Sequence, residues 1–265
     1  MPFNAPEVWL IEETKSLLES GGRDFGVSPE GTHFSGRLLD FKQSIEQPSV
    51  PDSRIRVATV PSGSSTHESQ LAIEAWVRGG PTGAWPQIDM MMGPRLLLNN
   101  DNVAIFGSAE QISAGVPVVL VALWLAKKIH GLEFEISTQL EQSSEDLKQA
   151  DGLTLRGRNF RTKISQRCVI AHDLKRRYME LSSRLNVIDG SISSTSLRIF
   201  REIDLQFYMS ERLLKLHEKI DYLLDFYTDF SDRIIENGYF RTELVVEVLI
   251  LIVLLADLLF LKKGL

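Results

Sequence analysis

The segment LLKLHEKIDYLLDFYTDFSDRI, residues 213–234, determines the architecture expected for this chain of 265 residues. Its large apolar side chains recur at alternating spacings of three and four residues, the heptad pattern of a helix that packs against other helices. These seam residues are Leu213, Leu216, Ile220, Leu223, Tyr227, Phe230 and Ile234. The pattern predicts a long helix whose apolar stripe is covered by protein.

A second seam with the same spacing precedes the first. Its members are Leu174, Tyr178, Leu181, Leu185, Ile188 and Ile192. Gly190 and the run SISSTS, residues 191–196, interrupt the helical pattern between the two seams. The simplest arrangement is an antiparallel helical hairpin with coiled-coil-like packing. A parallel coiled-coil dimer is the alternative. The hairpin is predicted to occupy residues 151–238, because Asn237–Gly238 is a helix-ending pair.

The tail LVVEVLILIVLLADLLFL, residues 244–261, predicts a membrane segment. Sixteen of its 18 residues are apolar, and a helix of roughly 17 to about 25 such residues spans a bilayer. The two carboxylates, Glu247 and Asp257, lie near the ends, where a charge is less costly than at the centre. We expect a C-terminal transmembrane helix over residues 241–262, with Arg241 and Glu243 at the membrane boundary. A buried core helix is the alternative.

The N-terminus, MPFNAPEVWLIEETK, is acidic and lacks the pattern of a signal peptide. Together with the apolar tail, it predicts a single-pass, tail-anchored protein whose body lies in the cytoplasm.

Residues 1–150 are expected to form an α+β head, a small β-rich domain packed with helices. A short helix is predicted over residues 6–20, and residues 21–53 are expected to be loop with a short element at Leu38–Phe41. Strands, in an antiparallel sheet, are predicted at residues 54–60, 71–77, 88–92, 96–98 and 102–106. An apolar core helix is predicted to follow from Ser113 to about Lys148.

Composition excludes several classes of function. Apolar residues make up 43% and charged residues 24% of the chain, as in globular proteins. The single cysteine, Cys168, excludes an internal disulfide framework and a multi-cysteine metal site. The five histidines lack the i, i+4 spacing of a helical metal site, and neither a phosphate loop nor a G-x-S-x-G elbow is present. The sequence therefore predicts no cofactor, no metal and no enzymatic activity.

Charge is distributed unevenly around the net value of -6. Residues 1–150 hold 11 basic and 19 acidic side chains, whereas residues 151–241 hold 16 basic and 13 acidic ones. The basic run supplies five candidate anion contacts, namely Arg156, Arg158, Arg161, Lys163 and Arg167. They would meet anionic lipid headgroups or RNA. The alternative is a solvated helix face that pairs with the acidic N-terminal half.

The order of elements and several short motifs resemble the "required for meiotic nuclear division" (sporulation) family. That family carries Leu-Asn-x-Lys/Arg-Leu-Asp on the second hairpin helix, and residues 216–221 here are LHEKID, with His217 in place of Asn and Ile220 in place of Leu. Its Arg-Leu-Glu at the membrane boundary is similar to Arg241-Thr242-Glu243, and its Phe-Trp-Gly is similar to Phe106-Gly107 without the Trp.

The resemblance implies a non-enzymatic inner-membrane protein with no catalytic residues. Eukaryotic members of that family lie in the mitochondrial inner membrane and support mitochondrial translation. No Arg precedes Arg23, so a mitochondrial presequence is not expected, and a bacterial cytoplasmic membrane is favoured.

The expected function is that of a membrane scaffold that oligomerises through its helical stalk. The alternative is a membrane-perturbing effector whose head senses a signal and clusters the transmembrane tails. The expected partners are the bilayer, further copies of the chain, anionic headgroups or RNA, and a protein bound by the head.

Overall fold

The structure is a computed structural model. It describes residues 7–14, 23–27, 33–39, 54–63, 67–78, 87–89, 93–99, 102–150, 158–191 and 194–263. The chain divides into two compact units. The head unit comprises Met1–Gly131 and Glu180–Leu214, and the bundle unit comprises Leu132–Met179 and Lys215–Leu265. The α+β class predicted from the sequence is confirmed, since the chain combines several helices with one sheet.

The head unit is built on a seven-stranded mixed sheet with the order β2-β3-β1-β4-β7-β6-β5. The strands are β1 (Glu7–Thr14), β2 (Arg23–Val27), β3 (His33–Leu39), β4 (Arg54–Pro61), β5 (Gln87–Asp89), β6 (Arg95–Leu98) and β7 (Asn102–Gly107). The β4 and β7 strands pair in parallel, and the other described pairs are antiparallel. The expectation of a purely antiparallel sheet was therefore wrong.

One face of the sheet is covered by helix α1 (His67–Arg78). Its buried residues Ile73, Trp76 and Val77 follow the helical spacing of three and four. They pack in one cluster with the sheet residues Val8, Ala58, Val60, Leu97 and Ala104. The prediction of a strand over residues 71–77 was wrong, because a short apolar run does not distinguish a strand from a buried helix segment.

The opposite face of the central strands is buried as well, since every residue of Ile55–Pro61 is buried. Helix α2 (Ala109–Ala150), through its residues up to Gly131, and helix α4 (Ser194–Phe207) supply apolar surface in the same unit. They approach each other closely at Gly115, where an added Cβ would lie 3.8 Å from Ile199 Cδ1. A Cβ at that distance would be in ordinary van der Waals contact with Ile199, so the two helices are neighbours at this point.

The N-terminal strands correct two further predictions. Residues 7–14 form β1 rather than a helix, and β2 and β3 lie within the predicted loop of residues 21–53. The β1 strand pairs with β3 on one side and β4 on the other. Long-range pairing of this kind is not visible in the local pattern, and it overrides a weak helical spacing.

Helix α2 begins at Ala109, four residues before the predicted start at Ser113. Ser108 and Gln111 form a capping box. The Gln111 amide donates to Ser108 Oγ at 3.2 Å, and the Ser108 amide donates to Gln111 Oε1 at 2.9 Å. These bonds satisfy two of the amides that a helix start leaves without a partner.

Helix α3 (Arg158–Ser191) ends at the predicted break. The short helix α4 follows, and a single residue, Tyr208, connects it to helix α5 (Met209–Lys263). Tyr208 has a φ of 52°, which is unfavourable for a residue with a side chain. Asp204 stabilises the start of α5 by accepting from the Ser210 amide at 3.0 Å and from Ser210 Oγ at 2.8 Å.

Helix α5 runs for 55 residues without interruption. The prediction that it ends at Asn237–Gly238 was wrong. A glycine within a helix costs only about 1 kcal/mol relative to alanine. Long helical segments on both sides of Gly238 are enough to offset a penalty of that size.

Candidate functional site: a helical bundle and its apolar extension

The bundle unit contains three helical segments, from α2, α3 and α5. Helices α3 and α5 are antiparallel, because partners with rising numbers on α3 have falling numbers on α5. The rings of Phe160 and Phe230 lie 6.4 Å apart, and Tyr178 stacks on His217 at 5.2 Å. Within one chain, the structure therefore has the antiparallel arrangement rather than the parallel alternative.

The second half of α2 joins this pair as a third helix. Arg177 of α3 contacts Glu135 of α2 through two bonds of 2.5 and 2.8 Å. Nearer the other end, Lys163 of α3 lies 2.5 Å from Asp146 of α2. The opposed numbering makes α2 antiparallel to α3. The expected two-helix hairpin is thus a three-helix bundle.

Most of the predicted seam residues that the structure describes are buried inside the chain. Tyr178 is half-buried, and Ile192 and the side chain of Ile188 lie outside the described residues. In the bundle unit, Leu216, Ile220, Leu223 and Tyr227 are at most 1% exposed. In the head unit, Leu181 and Leu213 are buried, and Leu185 is half-buried. The chain itself covers these buried seam residues.

A buried carboxylate, Asp146, is the centre of an ionic cluster in the bundle. The residue is 0% exposed. Its Oδ1 lies 2.5 Å from Lys163 Nζ, and its Oδ2 lies 3.6 Å from Arg167 Nε. The Tyr227 hydroxyl donates a hydrogen bond of 3.3 Å to Oδ2. Arg167 also donates to Gln139 Oε1 at 3.2 Å, so all three helices contribute to the cluster.

Burial changes the acidity of two neighbours in this cluster. The pKa of the Tyr227 hydroxyl is raised by burial first and by the negative charge of Asp146 second. The pKa of the Cys168 thiol is also raised by burial. Because the thiolate is the reactive form of cysteine, Cys168 is less nucleophilic here than a solvent-exposed thiol.

The structure separates the five candidate anion contacts. Lys163 and Arg167 are paired with Asp146, and Arg161 is exposed to solvent. Arg158 is the first residue of α3, but its side chain and the whole of Arg156 lie outside the described residues.

Farther along the run, each basic side chain has a carboxylate partner. Lys175 pairs with Asp221, Arg176 with Asp173 and Arg177 with Glu135. Much of the basic run is therefore a set of bridges within the bundle unit.

Sequence reasoning missed Asp146, although a pattern that identifies it was present. On α2 a seam with alternating spacings of three and four contains Ile129, Leu132, Ile136, Gln139, Ser143 and Asp146. The seam changes from apolar to polar within one helix face, and Ser143 is buried like Asp146. A carboxylate at a seam position predicts a buried charge that requires cationic partners.

Residues 244–255 of α5 are uncovered in the structure. The large apolar residues from Leu244 to Leu255 are 46–59% exposed. Just before them, Tyr239 and Phe240 are 73% and 65% exposed. Glu243, one of the two predicted boundary residues, is exposed, and the Arg241 side chain lies outside the described residues.

Within the part of the chain that was described, one helical stretch is long and apolar enough to cross a membrane by length and composition. This stretch is Ala109–Lys148, and 67% of its most apolar window is buried inside the protein. Burial of that kind is typical of a core helix, which agrees with the role predicted for the apolar part of α2. The C-terminal anchor is taken up below as a proposal.

Among the side chains that the structure describes, no group of three or more His, Cys, Asp or Glu residues could hold a metal ion.

No protein-family model matches the chain. No curated protein matches it significantly either. Among solved structures, the chain is similar to the CorA magnesium transporter from Methanocaldococcus jannaschii, with a TM-score of 0.41 and 10% identity over 94% of this chain and 82% of that one. It is also similar to the full-length CmaX protein, with a TM-score of 0.36 and 13% identity over 92% and 81% of the two chains. Both TM-scores are below 0.5, so neither likeness supports a statement about function.

Proposed function

We propose that this chain is a non-enzymatic, single-pass membrane scaffold, anchored by the C-terminal part of α5. The observation that carries the proposal is the unbroken course of α5 from the buried seam of the bundle unit into an exposed apolar segment. Monomeric soluble proteins rarely expose a contiguous apolar patch of this kind to water. Lipid is the environment that suits every face of such a helix.

The energetics of insertion support the anchor. The 16 apolar residues of segment 244–261 contribute about -5 to about -10 kcal/mol at roughly -0.3 to -0.6 kcal/mol each. The two carboxylates each oppose this by less than the roughly 3 kcal/mol of a central charge, because both lie near an end. The sum favours a transmembrane helix.

The residues that flank the segment fit the two faces of a bilayer. Tyr239 and Phe240 are exposed on α5 just before the apolar run, where aromatic side chains favour the headgroup layer. Lys262 and Lys263 follow the run in the sequence, and lysine side chains reach back to the far headgroups. The proposal keeps the orientation expected from the sequence, with the body on the cytoplasmic side of a bacterial membrane.

Kinship with the "required for meiotic nuclear division" family remains part of this proposal. Two residues that carry the resemblance have structural roles in the bundle unit. Ile220 is fully buried in the seam, and Asp221 pairs with Lys175 of α3. Such roles are consistent with a stalk that supports a head without performing chemistry.

Fewer of the predicted anion contacts remain available, because Lys163 and Arg167 pair with Asp146. Arg161 is the exposed member whose side chain the structure describes, and α3 begins with Arg158 three residues earlier. We keep anionic lipid headgroups, rather than RNA, as their proposed partner, because the ring contact of Phe160 with Phe230 places this end of α3 toward the apolar end of α5.

The test is to delete residues 241–265 and to fractionate cells expressing the full and shortened chains. The full chain should stay with the membrane after a carbonate wash, and the shortened chain should be soluble. A Tyr239→Ser chain is the matched control and should still fractionate with membranes. A shortened chain that remains in the washed membrane would refute the anchor. Growth arrest and dye leakage that require an intact tail would favour the effector alternative over the scaffold.

A further inference from the structure

Helix α4 has a packed inner face and an exposed outer stripe. Its buried residues are Ser196, Ile199, Phe200 and Ile203. The outer stripe consists of Arg198, Arg201 and Leu205, which are all exposed to solvent. Their spacings of three and four residues place them on one side of the helix. Leu205 is 66% exposed, so the helix presents a large apolar side chain to water beside two cations.

Tyr208, the single residue between α4 and α5, follows the outer stripe three residues after Leu205. Its side chain is exposed as well, since the residue is 63% exposed. Its φ of 52° is unfavourable for a residue with a side chain. The side chain makes no hydrogen bond or ring contact with any residue that the structure describes, so no such contact compensates for the strain. Backbone strain of this kind is concentrated at binding and active sites.

We propose that the outer stripe and Tyr208 form a docking surface for an acidic segment of another protein. Tyrosine and arginine are among the residues most enriched in the centres of protein interfaces. An exposed guanidinium group can hold a carboxylate through two parallel hydrogen bonds. Leu205 and Tyr208 would contact a large apolar side chain of the same segment.

The charge of the outer stripe determines the chemistry of the partner. Arg198 makes no hydrogen bond or ion pair with any residue that the structure describes. The two acids of α4, Glu202 and Asp204, are half-buried and lie off the stripe, and Asp204 already accepts two hydrogen bonds from Ser210. The stripe is therefore cationic, and it attracts an acidic segment and repels a basic one.

A lipid surface fits these residues less well than a protein does. A helix that lies on a membrane places a wide apolar face in the lipid, whereas the apolar face of α4 is packed. Only Leu205 and Tyr208 would remain to contact lipid. The docking surface lies wholly within the head unit, so the inference goes beyond the proposed function and does not depend on the anchor.

The test begins with the full chain in detergent solution and a phage-displayed library of random peptides. Peptides that bind the wild type but not Leu205→Ser are the ligands of this surface. They should contain Asp and Glu at least about twice as often as the starting library. The proposal is overturned if these peptides show no excess of acidic residues, or if no peptide distinguishes the two chains.

The dissociation constant of a selected peptide, measured by fluorescence anisotropy, tests the apolar end of the surface. Leu205→Ser should raise it about fivefold to about thirtyfold, as expected for a residue that dominates an interface. Leu71→Ser is the matched control, because Leu71 is 52% exposed on α1 and lies off the surface. It should change the constant less than about twofold. Equal effects of the two substitutions would contradict the proposal.

Charge reversal tests the cationic end. Arg198→Glu should weaken binding about tenfold or more at low salt, and the effect should decrease in high salt because ions screen exposed charges. Lys219→Glu makes the same kind of reversal at an exposed position of α5 in the bundle unit and should have little effect. If Lys219→Glu weakens binding as much as Arg198→Glu does, the contribution is general charge rather than this surface.

Tyr208→Gly separates binding from structure. The substitution removes the strained side chain, so the variant should be at least as stable as the wild type and still bind the peptide about fivefold or more weakly. Unchanged binding would contradict the role of Tyr208. A water-soluble lipid, dihexanoyl phosphatidylserine, is the last probe. If the wild type binds this lipid more tightly than Leu205→Ser does, the surface recognises lipid and the proposal is wrong.

Discussion

The Tyr227 hydroxyl donates a hydrogen bond of 3.3 Å to Asp146, a residue 81 positions earlier in the chain. This bond joins α5 to α2, while Lys163 and Arg167 join α3 to the same carboxylate. One acidic side chain is therefore held by both of the helices that pack around it. Hydrogen bonds to a charged group contribute more than those between neutral groups, about 1.5–3 kcal/mol.

The first prediction concerns the charge of Asp146. Asp146→Asn should lower the free energy of unfolding by about 2–4 kcal/mol, because it leaves Lys163 and Arg167 without their anion. Both cations are partly exposed, which places the expected cost below that of a fully buried pair. Urea unfolding followed by circular dichroism measures the change. The control, Glu145→Gln, alters an exposed neighbour and should shift stability by less than about 0.5 kcal/mol. Equal stabilities of the two variants would show that the charge of Asp146 does not stabilise the bundle.

The second prediction uses the raised pKa of Tyr227. The folded chain keeps the phenolic proton to a higher pH than the unfolded chain, whose tyrosine has a pKa of about 10. The stability contributed by the protonated hydroxyl is present below about pH 10 and is lost as the pH rises above it.

Tyr227→Phe tests this directly. At pH 7 the variant should be less stable by about 1.5–3 kcal/mol, the value of one hydrogen bond to a charged group. This difference should shrink when unfolding is measured between pH 9 and pH 11, since only the wild type loses the hydroxyl contribution. A difference that stays constant with pH would contradict the assignment.

The third prediction concerns the seam of α5. Ile220 is 0% exposed, and Ile220→Asp would place a carboxylate in the interior of the bundle unit. The cost should be about 4 kcal/mol or more, enough to unfold the bundle. Lys219 is exposed, so Lys219→Ala should change the melting temperature very little. If the two variants melt together, the seam is not packed as described.

The fourth prediction concerns the single residue between α4 and α5. Tyr208→Gly removes a side chain from a backbone conformation that costs an ordinary residue about 1–2 kcal/mol. Glycine loses more backbone freedom on folding, so the net gain in stability should be about 0.5–1 kcal/mol. Tyr208→Ala keeps the strained φ and should show no gain in the same urea titration. A gain in both variants would mean that the aromatic side chain, not the backbone, is the source.

The sequence was informative where local periodicity determines structure. The helical seams, the break after Ser191 and the apolar core helix could be predicted, because each follows from spacing within one helix. The β1 strand could not be predicted in this way, since its partners β3 and β4 begin about 20 or more residues later. Pairing over such distances depends on the rest of the fold rather than on the segment itself.

The candidate site likewise combines features that local periodicity predicts with features that depend on how the helices align. The burial of Leu216 and Ile220 follows from the heptad pattern. The pairing of Lys163 and Arg167 with Asp146 does not, because the three residues look like ordinary surface charges when each helix is considered alone. Only the alignment of α2 beside α3 reveals that a run of cations is balanced by one interior carboxylate.

The continuity of α5 through Asn237–Gly238 has a mechanical consequence. A loop at this point would allow the segments of α5 before and after it to rotate independently. An unbroken helix transmits torque, because each residue is rotated about 100° from the one before it. Inserting one residue between Asn237 and Gly238 would turn everything beyond it by that angle, and inserting seven would restore the original orientation almost completely. A rotation of α5 about its own axis among the bundle helices is therefore transmitted to its apolar end.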